Sequence, residues 1–161
     1  MMRLMILAAM TASVLIGCGE GKDPIAMIAN GGSTPTLSFP FTPAGLTANR
    51  DGFLLTAPVN GVLASPVTGV VTLIEAVSNS YAITIYYNST YSVRMSQLNM
   101  IPQVRVGEAV QAGQLLGTVV NNPQILFSLF QNGASVCAYS YLDAAARVWV
   151  HSGTNIPCPT N

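Results

Sequence analysis

The stretch Val104–Gly117, VRVGEAVQAGQLLG, decides how the rest of the chain reads. Two short apolar runs, Val104–Val106 and Leu115–Leu116, flank the glycine turns Val106-Gly107-Glu108 and Ala112-Gly113-Gln114. Glycine at each turn points to a backbone that needs φ > 0 or close approach, and Val and Leu on both sides suit short strands. A tight pair of hairpin turns of this kind belongs to a small, sandwich-like β-domain.

Working outward, strands are expected over Gly52–Ala57, Gly61–Ala64, Val70–Ile74, Tyr81–Tyr87, Tyr91–Met95, Gly117–Val120 and Ile125–Phe130. YAITIYY, at 81–87, is the clearest of them, rich in β-branched and aromatic residues. Asn88-Ser89-Thr90 reads as a hairpin loop, Asn121-Asn122-Pro123 as a turn and Asn132-Gly133 as a type I′ signal. Short strands at close intervals imply an all-β sandwich or barrel and exclude alternating βα units. Asp143–Val150 reads as a short terminal helix with Trp149 packing back on the sheet, and the lone His151 as an exposed tail residue.

The 161 residues hold one domain plus appendages, with six basic side chains against six acidic. That balance offers no electrostatic footprint for nucleic acid or an anionic membrane surface. Residues 1–17 have the layout of an export signal, Arg3 followed by an apolar run too short for a comfortable membrane span. The run ends in Leu15-Ile16-Gly17-Cys18, which resembles the bacterial lipobox. That resemblance implies that Cys18 is diacylated and becomes the mature N-terminus. The chain would then be lipid-anchored in the cell envelope, at the outer membrane if the cell is Gram-negative, since Gly19 and not Asp follows the cysteine.

With Cys18 lipidated, Cys137 and Cys158 remain as an even pair in an oxidising compartment, where a disulfide is the default. Closing a loop of about twenty residues contributes on the order of 3 kcal/mol. A metal site from Cys137, Asp143, His151 and Cys158 lacks any recognised spacing. Residues 18–48, rich in Gly, Pro, Ser, Thr and Asn around single apolar residues, read as the lipidated cysteine and a flexible tether. The domain proper is expected over 49–142 and a tail over 143–161.

Read in order, Gly52–Leu142 resembles the lysostaphin or LytM-type zinc endopeptidases that cut peptidoglycan cross-bridges, with the duplicated hybrid motif fold. The family's His-x-Gly-(Ile/Val)-Asp-Leu falls on Arg50-Asp51-Gly52-Phe53-Leu54-Leu55, and its Tyr-x-His-Leu segment on Met95-Ser96-Gln97-Leu98. Every glycine of the following Val-x-x-Gly-x-x-Val-x-x-Gly-x-x-(Ile/Leu)-Gly is present in Val104–Gly117. His-Leu-His-Phe-Glu falls on Gln124-Ile125-Leu126-Phe127-Ser128, and the closing Val-Asp-Pro-x-x-Tyr-Leu on Val136–Leu142.

The scaffold matches where the chemistry does not. The family's three zinc ligands fall at Arg50, Leu54 and Leu126, and its two catalytic histidines at Gln97 and Gln124. Hydrolysis of this kind needs a metal with an open position, and Leu cannot ligate one. Gln hydrogen-bonds but exchanges no proton near neutral pH. The resemblance therefore implies a pseudo-enzyme without a cofactor. Its polar groove of Arg50, Gln97 and Gln124 is a candidate for recognising peptide amides, with peptidoglycan or a cell-wall hydrolase as partner, as in degenerate relatives that regulate amidases. The glycine pattern also resembles the biotinyl/lipoyl hairpin fold. A carrier role needs a modifiable Lys on an exposed turn, and the only Lys, Lys22, lies in the tether. An adaptor arm that contacts other envelope proteins is the alternative reading.

Overall fold

The computed structural model describes residues 32–121 and 123–153. Cys18, Lys22, Cys158 and the signal segment lie outside the described residues. Ten strands form: β1 (Gly45–Asn49), β2 (Gly52–Thr56), β3 (Val62–Ala64), β4 (Gly69–Val77), β5 (Ser80–Tyr86), β6 (Tyr91–Leu98), β7 (Ala109–Val110), β8 (Leu115–Thr118), β9 (Gln124–Gln131) and β10 (Ala134–Val136). A 3-10 turn (Ala138–Tyr141) and helix α1 (Ala144–Gly153) close the order. The large sheet runs β1-β2-β9-β6-β5-β4-β7 with β10 also on β9, and β3 pairs β8 in a second, two-stranded sheet. All of these pairings are antiparallel. The all-β architecture is therefore as the sequence implies.

Period-two alternation builds the core. Phe53 and Leu55 of β2, Ile125, Phe127 and Leu129 of β9, Val93 and Met95 of β6, and Ile83 and Ile85 of β5 are all fully buried on one face. The intervening Leu54, Leu126, Arg94, Ser96 and Thr84 point the other way and are half-buried.

The glycine-rich stretch differs from its sequence reading. Val104–Val106 is not a strand, and the two turns do not build one hairpin. β7 pairs with β4 of the large sheet while β8 pairs with β3, so the turns carry the chain from one sheet to the other. They share one construction. Glu108 N–H donates to Arg105 O (3.1 Å) and Gln114 N–H to Gln111 O (2.9 Å). In return Arg105 N–H donates to Glu108 Oε2 and Gln111 N–H to Gln114 Oε1, both at 3.0 Å. Gly107 and Gly113 take the left-handed third position of each turn, φ 87° and 83°.

The expected tether ends earlier than Ala48. Leu37 is fully buried, its N–H donates to Tyr141 O and its carbonyl accepts from Asp143 N–H, each at 2.8 Å. Phe39 meets Phe53 and Phe127 edge-on, with ring centroids 6.0 and 5.9 Å apart. Residues 45–49 are strand β1, hydrogen-bonded to β2 along its whole length. Segment 33–44 is thus a strap that closes the core, its spaced apolar side chains packing against the inner sheet face. Asn88, nearly buried, ties the strap's start to the β5–β6 loop: its Nδ2 donates to Ser33 O, while Oδ1 accepts from Thr90 and Tyr91 N–H.

At the other end, Asp143 caps α1, its Oδ1 accepting from Ala146 N–H at 2.7 Å. Ala146 and Val150, four residues apart, face the core. Trp149 does not bury against the sheet; it turns toward the strap and β3 and stays 39% exposed. His151 is exposed, as expected, and sits on α1 with Nε2 2.6 Å from the Tyr139 hydroxyl. The Tyr141 hydroxyl lies 3.4 Å from that of Tyr91, and this hydrogen bond, aided by burial, holds the Tyr141 pKa above the ordinary tyrosine value.

Gly52 (φ 146°) and Gly107 (φ 87°) both have positive φ, so substitutions there differ in crowding. A Cβ at Gly107 would meet nothing within 4 Å, whereas at Gly52 it would collide with the Phe127 carbonyl on β9. Gly107→Ala is expected to cost about 1–2 kcal/mol in denaturant unfolding, from its left-handed φ alone. Gly52→Ala is expected to cost well beyond that, because β2 must pull away from β9. Equal losses at the two positions would contradict this register.

Candidate functional site

Two of the positions matched to the zinc ligands, Leu54 and Leu126, belong to the outer face of the large sheet. Leu54 lies directly opposite Leu126, Leu126 opposite Ser96, and Leu54 opposite Thr47 on the edge strand. One row across four strands therefore reads Thr47, Leu54, Leu126, Ser96. Both leucines are half-buried and form a cross-strand apolar pair. Where two metal ligands would have to converge, the side chains present only hydrocarbon.

Gln124 sits opposite Thr56, two residues along β9 from Leu126, and is exposed. Gln97 is also exposed and follows Ser96 at a bulge, where the β5–β6 register shifts between Tyr81 and Ile83. Its φ of 64° places it in the left-handed region, so the bulge re-aims it away from the strand's alternation. Because β6 and β9 run antiparallel from the Ser96–Leu126 pair, the two glutamines come to the same end of the sheet as the two leucines. Arg50 does not join them. It occupies the two-residue turn between β1 and β2, exposed at the hairpin tip, with Asn49 Oδ1 accepting from the next N–H at 3.1 Å. That tip lies beyond Gly52, on the Ser128 side of β9 and away from Gln124.

Further along the same face lies a feature that the motif comparison does not single out. Arg94 on β6 reaches across β5 to Glu75 on β4, Nη2 to Oε2 2.5 Å. Both side chains are about one-third exposed, so the pair contributes at most about 1 kcal/mol. Ser128, which takes the place of the family motif's Glu, is almost fully buried opposite Arg94. A shallow depression of about 210 Å³, lined by Leu73, Ser92 and Phe130 among others, opens beside them. The signal for it in the sequence is the alternation Ser92, Arg94, Ser96 along β6, which places three polar side chains on the face matched to the motifs.

Among the described residues, no group of three or more His, Cys, Asp or Glu side chains could hold a metal ion. Asp143 and His151 belong to the start and end of α1, and Cys137 is an exposed residue before the 3-10 turn. The outer face can hydrogen-bond through amides, hydroxyls and one ion pair, and it can bury hydrocarbon. None of the side chains matched to the family's site can exchange a proton near neutral pH.

No protein-family model matches the sequence, and no curated protein matches it. Solved structures do. The chain is similar to a zinc-containing peptidase from Vibrio cholerae, at 17% identity and TM-score 0.53, over 64% of this chain and 39% of that one. It is similar to the catalytic domain of the prophage-encoded M23 protein EnpA from Enterococcus faecalis, at 20% identity and TM-score 0.51, over 64% and 92%. A chain of the SpoIIQ–SpoIIIAH pore-forming complex is similar at 14% identity and TM-score 0.56, over 69% and 93%. This chain spans less than half the length of several structures that it matches, the Vibrio cholerae peptidase among them. Likeness at these identities concerns the fold, and the fold is that of the M23, LytM-type peptidase domain.

Proposed function

We propose that this chain is a non-catalytic cell-envelope lipoprotein whose peptidase-like domain binds peptidoglycan or a cell-wall hydrolase and so regulates or positions wall remodelling. The observation that carries the reading is the Leu54–Leu126 pair: in a peptidase fold, the two strands that would meet at the metal present hydrocarbon to each other. Gln97 and Gln124 flank that pair and supply carboxamides that donate and accept, the pattern a peptide amide needs. Arg50, at the β1–β2 tip, lies outside that amide pair and is not needed for it. Cys18 carries the lipid anchor in this reading, and Cys137 and Cys158 form a disulfide.

A structural adaptor is the second reading. It is favoured by likeness to a chain of a pore-forming protein complex, and such contacts need only the sheet edges. No helix among the described residues is long and apolar enough to cross a membrane.

Co-sedimentation of the 19–161 chain with purified sacculi separates the readings. Wall binding through the outer face predicts that the parent pellets and that Gln97→Ala/Gln124→Ala stays in the supernatant. If the parent does not pellet, this domain does not bind the wall, and the adaptor reading takes its place. For the anchor, Cys18→Ser is expected to move the full chain from the membrane fraction to the soluble one, and peptide mapping before reduction to find Cys137 linked to Cys158. A Cys18→Ser chain that stays membrane-bound, or a free thiol at Cys137, would remove those assignments.

A further inference from the structure

A second cleft is on the opposite side of the sheet from the Leu54–Leu126 face. It is an open cavity of about 330 Å³ between the strap, β3 and α1. Its position follows from the packing: Phe39 of the strap lies against Phe53 and Phe127, whose side chains point away from the outer face. The walls come from residues 38–42, from Val62 and Ala64 of β3, and from α1 with its cap Asp143.

The chemistry of the walls is uneven. Trp149, Phe41 and Val62 supply an apolar side, with Trp149 39% and Val62 56% exposed. Ser38, Thr42 and Asp143 supply the polar side. These groups are mainly acceptors toward a ligand. The Ser38 hydroxyl already donates to Pro66 O at 3.3 Å, leaving its oxygen lone pairs. The Asp143 carboxylate accepts one N–H from α1 and keeps acceptor capacity on its second oxygen. Among the described residues no Lys or Arg lines the cleft, so its one charge repels phosphates and carboxylates. The complementary ligand is neutral and rich in donors, with one apolar face to lay on an indole. A pyranose ring has that composition: axial C–H bonds on one face and hydroxyls around the rim.

We propose that this cleft binds a hexose unit of a neutral glycan, with the ring against Trp149 and its hydroxyls donating to Asp143 and Thr42. The proposal rests on the wall-binding reading for its biological ligand, and makes the glycan strand the element recognised on this side of the domain. The two stand or fall separately in solution. Trp149 is the only tryptophan in the chain, so its emission reports on the cleft alone.

The experiment titrates the 19–161 chain with a soluble β-1,4-linked N-acetylglucosamine tetramer while Trp149 emission is followed, beside sedimentation with sacculi. The expected result is a saturable change in emission. Ala145→Leu, at an exposed helix position on the cleft wall, and Asp143→Asn, which keeps a capping oxygen for α1, are each expected to weaken it at least tenfold. No saturable change, or the same change in Ala145→Leu as in the parent, overturns the proposal. If the parent pellets with sacculi but the tetramer leaves Trp149 unaltered, the cleft is not the glycan site and wall binding stands. If the tetramer binds and sacculi do not pellet the chain, the cleft assignment stands and wall binding falls.

Discussion

Strand β9 is the element on which the rest of the structure depends. It pairs with β2 from Gln124 to Phe127, with β6 from Leu126 to Gln131 and with β10 from Leu129 to Gln131. Its alternation therefore sets both faces at once. Ile125, Phe127 and Leu129 fill the core, and Phe127 alone joins β2, β6 and the strap through Phe53, Met95 and Phe39. Gln124, Leu126, Ser128 and Phe130 line the outer face. A slip of one residue would exchange these sets and bury two polar side chains in the core, so the register is fixed by the hydrophobic pattern itself.

That coupling lets the outward positions vary in chemistry while the fold is kept. The core needs only the inward residues of β2, β6 and β9, which remain large and apolar. The outward positions are free to change chemistry without disturbing them. Leu54 and Leu126 use that freedom in a concerted way: they lie directly opposite each other and bury part of each other's hydrocarbon. A single ligand lost to Leu would leave a polar partner facing an apolar side chain, whereas the matched pair is self-consistent.

Most of the strands were legible because each carries its own period and its own turn residues. Tyr81–Tyr87 and Ile125–Phe130 appear almost as read, as β5 and β9. The Asn132-Gly133 turn has positive φ at both residues, as a type I′ turn requires. Misreadings arose where tertiary contact, not local pattern, decides structure. Leu37, Phe39 and Phe41 alternate, but among Pro, Ser and Thr they resemble a linker; packing against the sheet and the segment before α1 makes them a strap. Val104–Val106 has strand composition, yet Val104 is buried in a turning segment and the short strand forms later, at Ala109–Val110, where β4 offers an edge. For the site, the identities at the motif positions were legible and their grouping was not. Bulge and hairpin geometry bring Gln97 and Gln124 to the leucine end and hold Arg50 at the other.

The central claim is that a peptidase scaffold here carries no metal centre, and the most direct test is zinc content. The full chain, purified from zinc-replete cells without chelator or added metal, is analysed by inductively coupled plasma mass spectrometry. Hydrocarbon at Leu54 and Leu126 predicts zinc far below one ion per chain, with no rise after dialysis against excess zinc and removal of loosely held ions. A stable content near one zinc per chain would mean that other side chains complete a site, and would contradict the account.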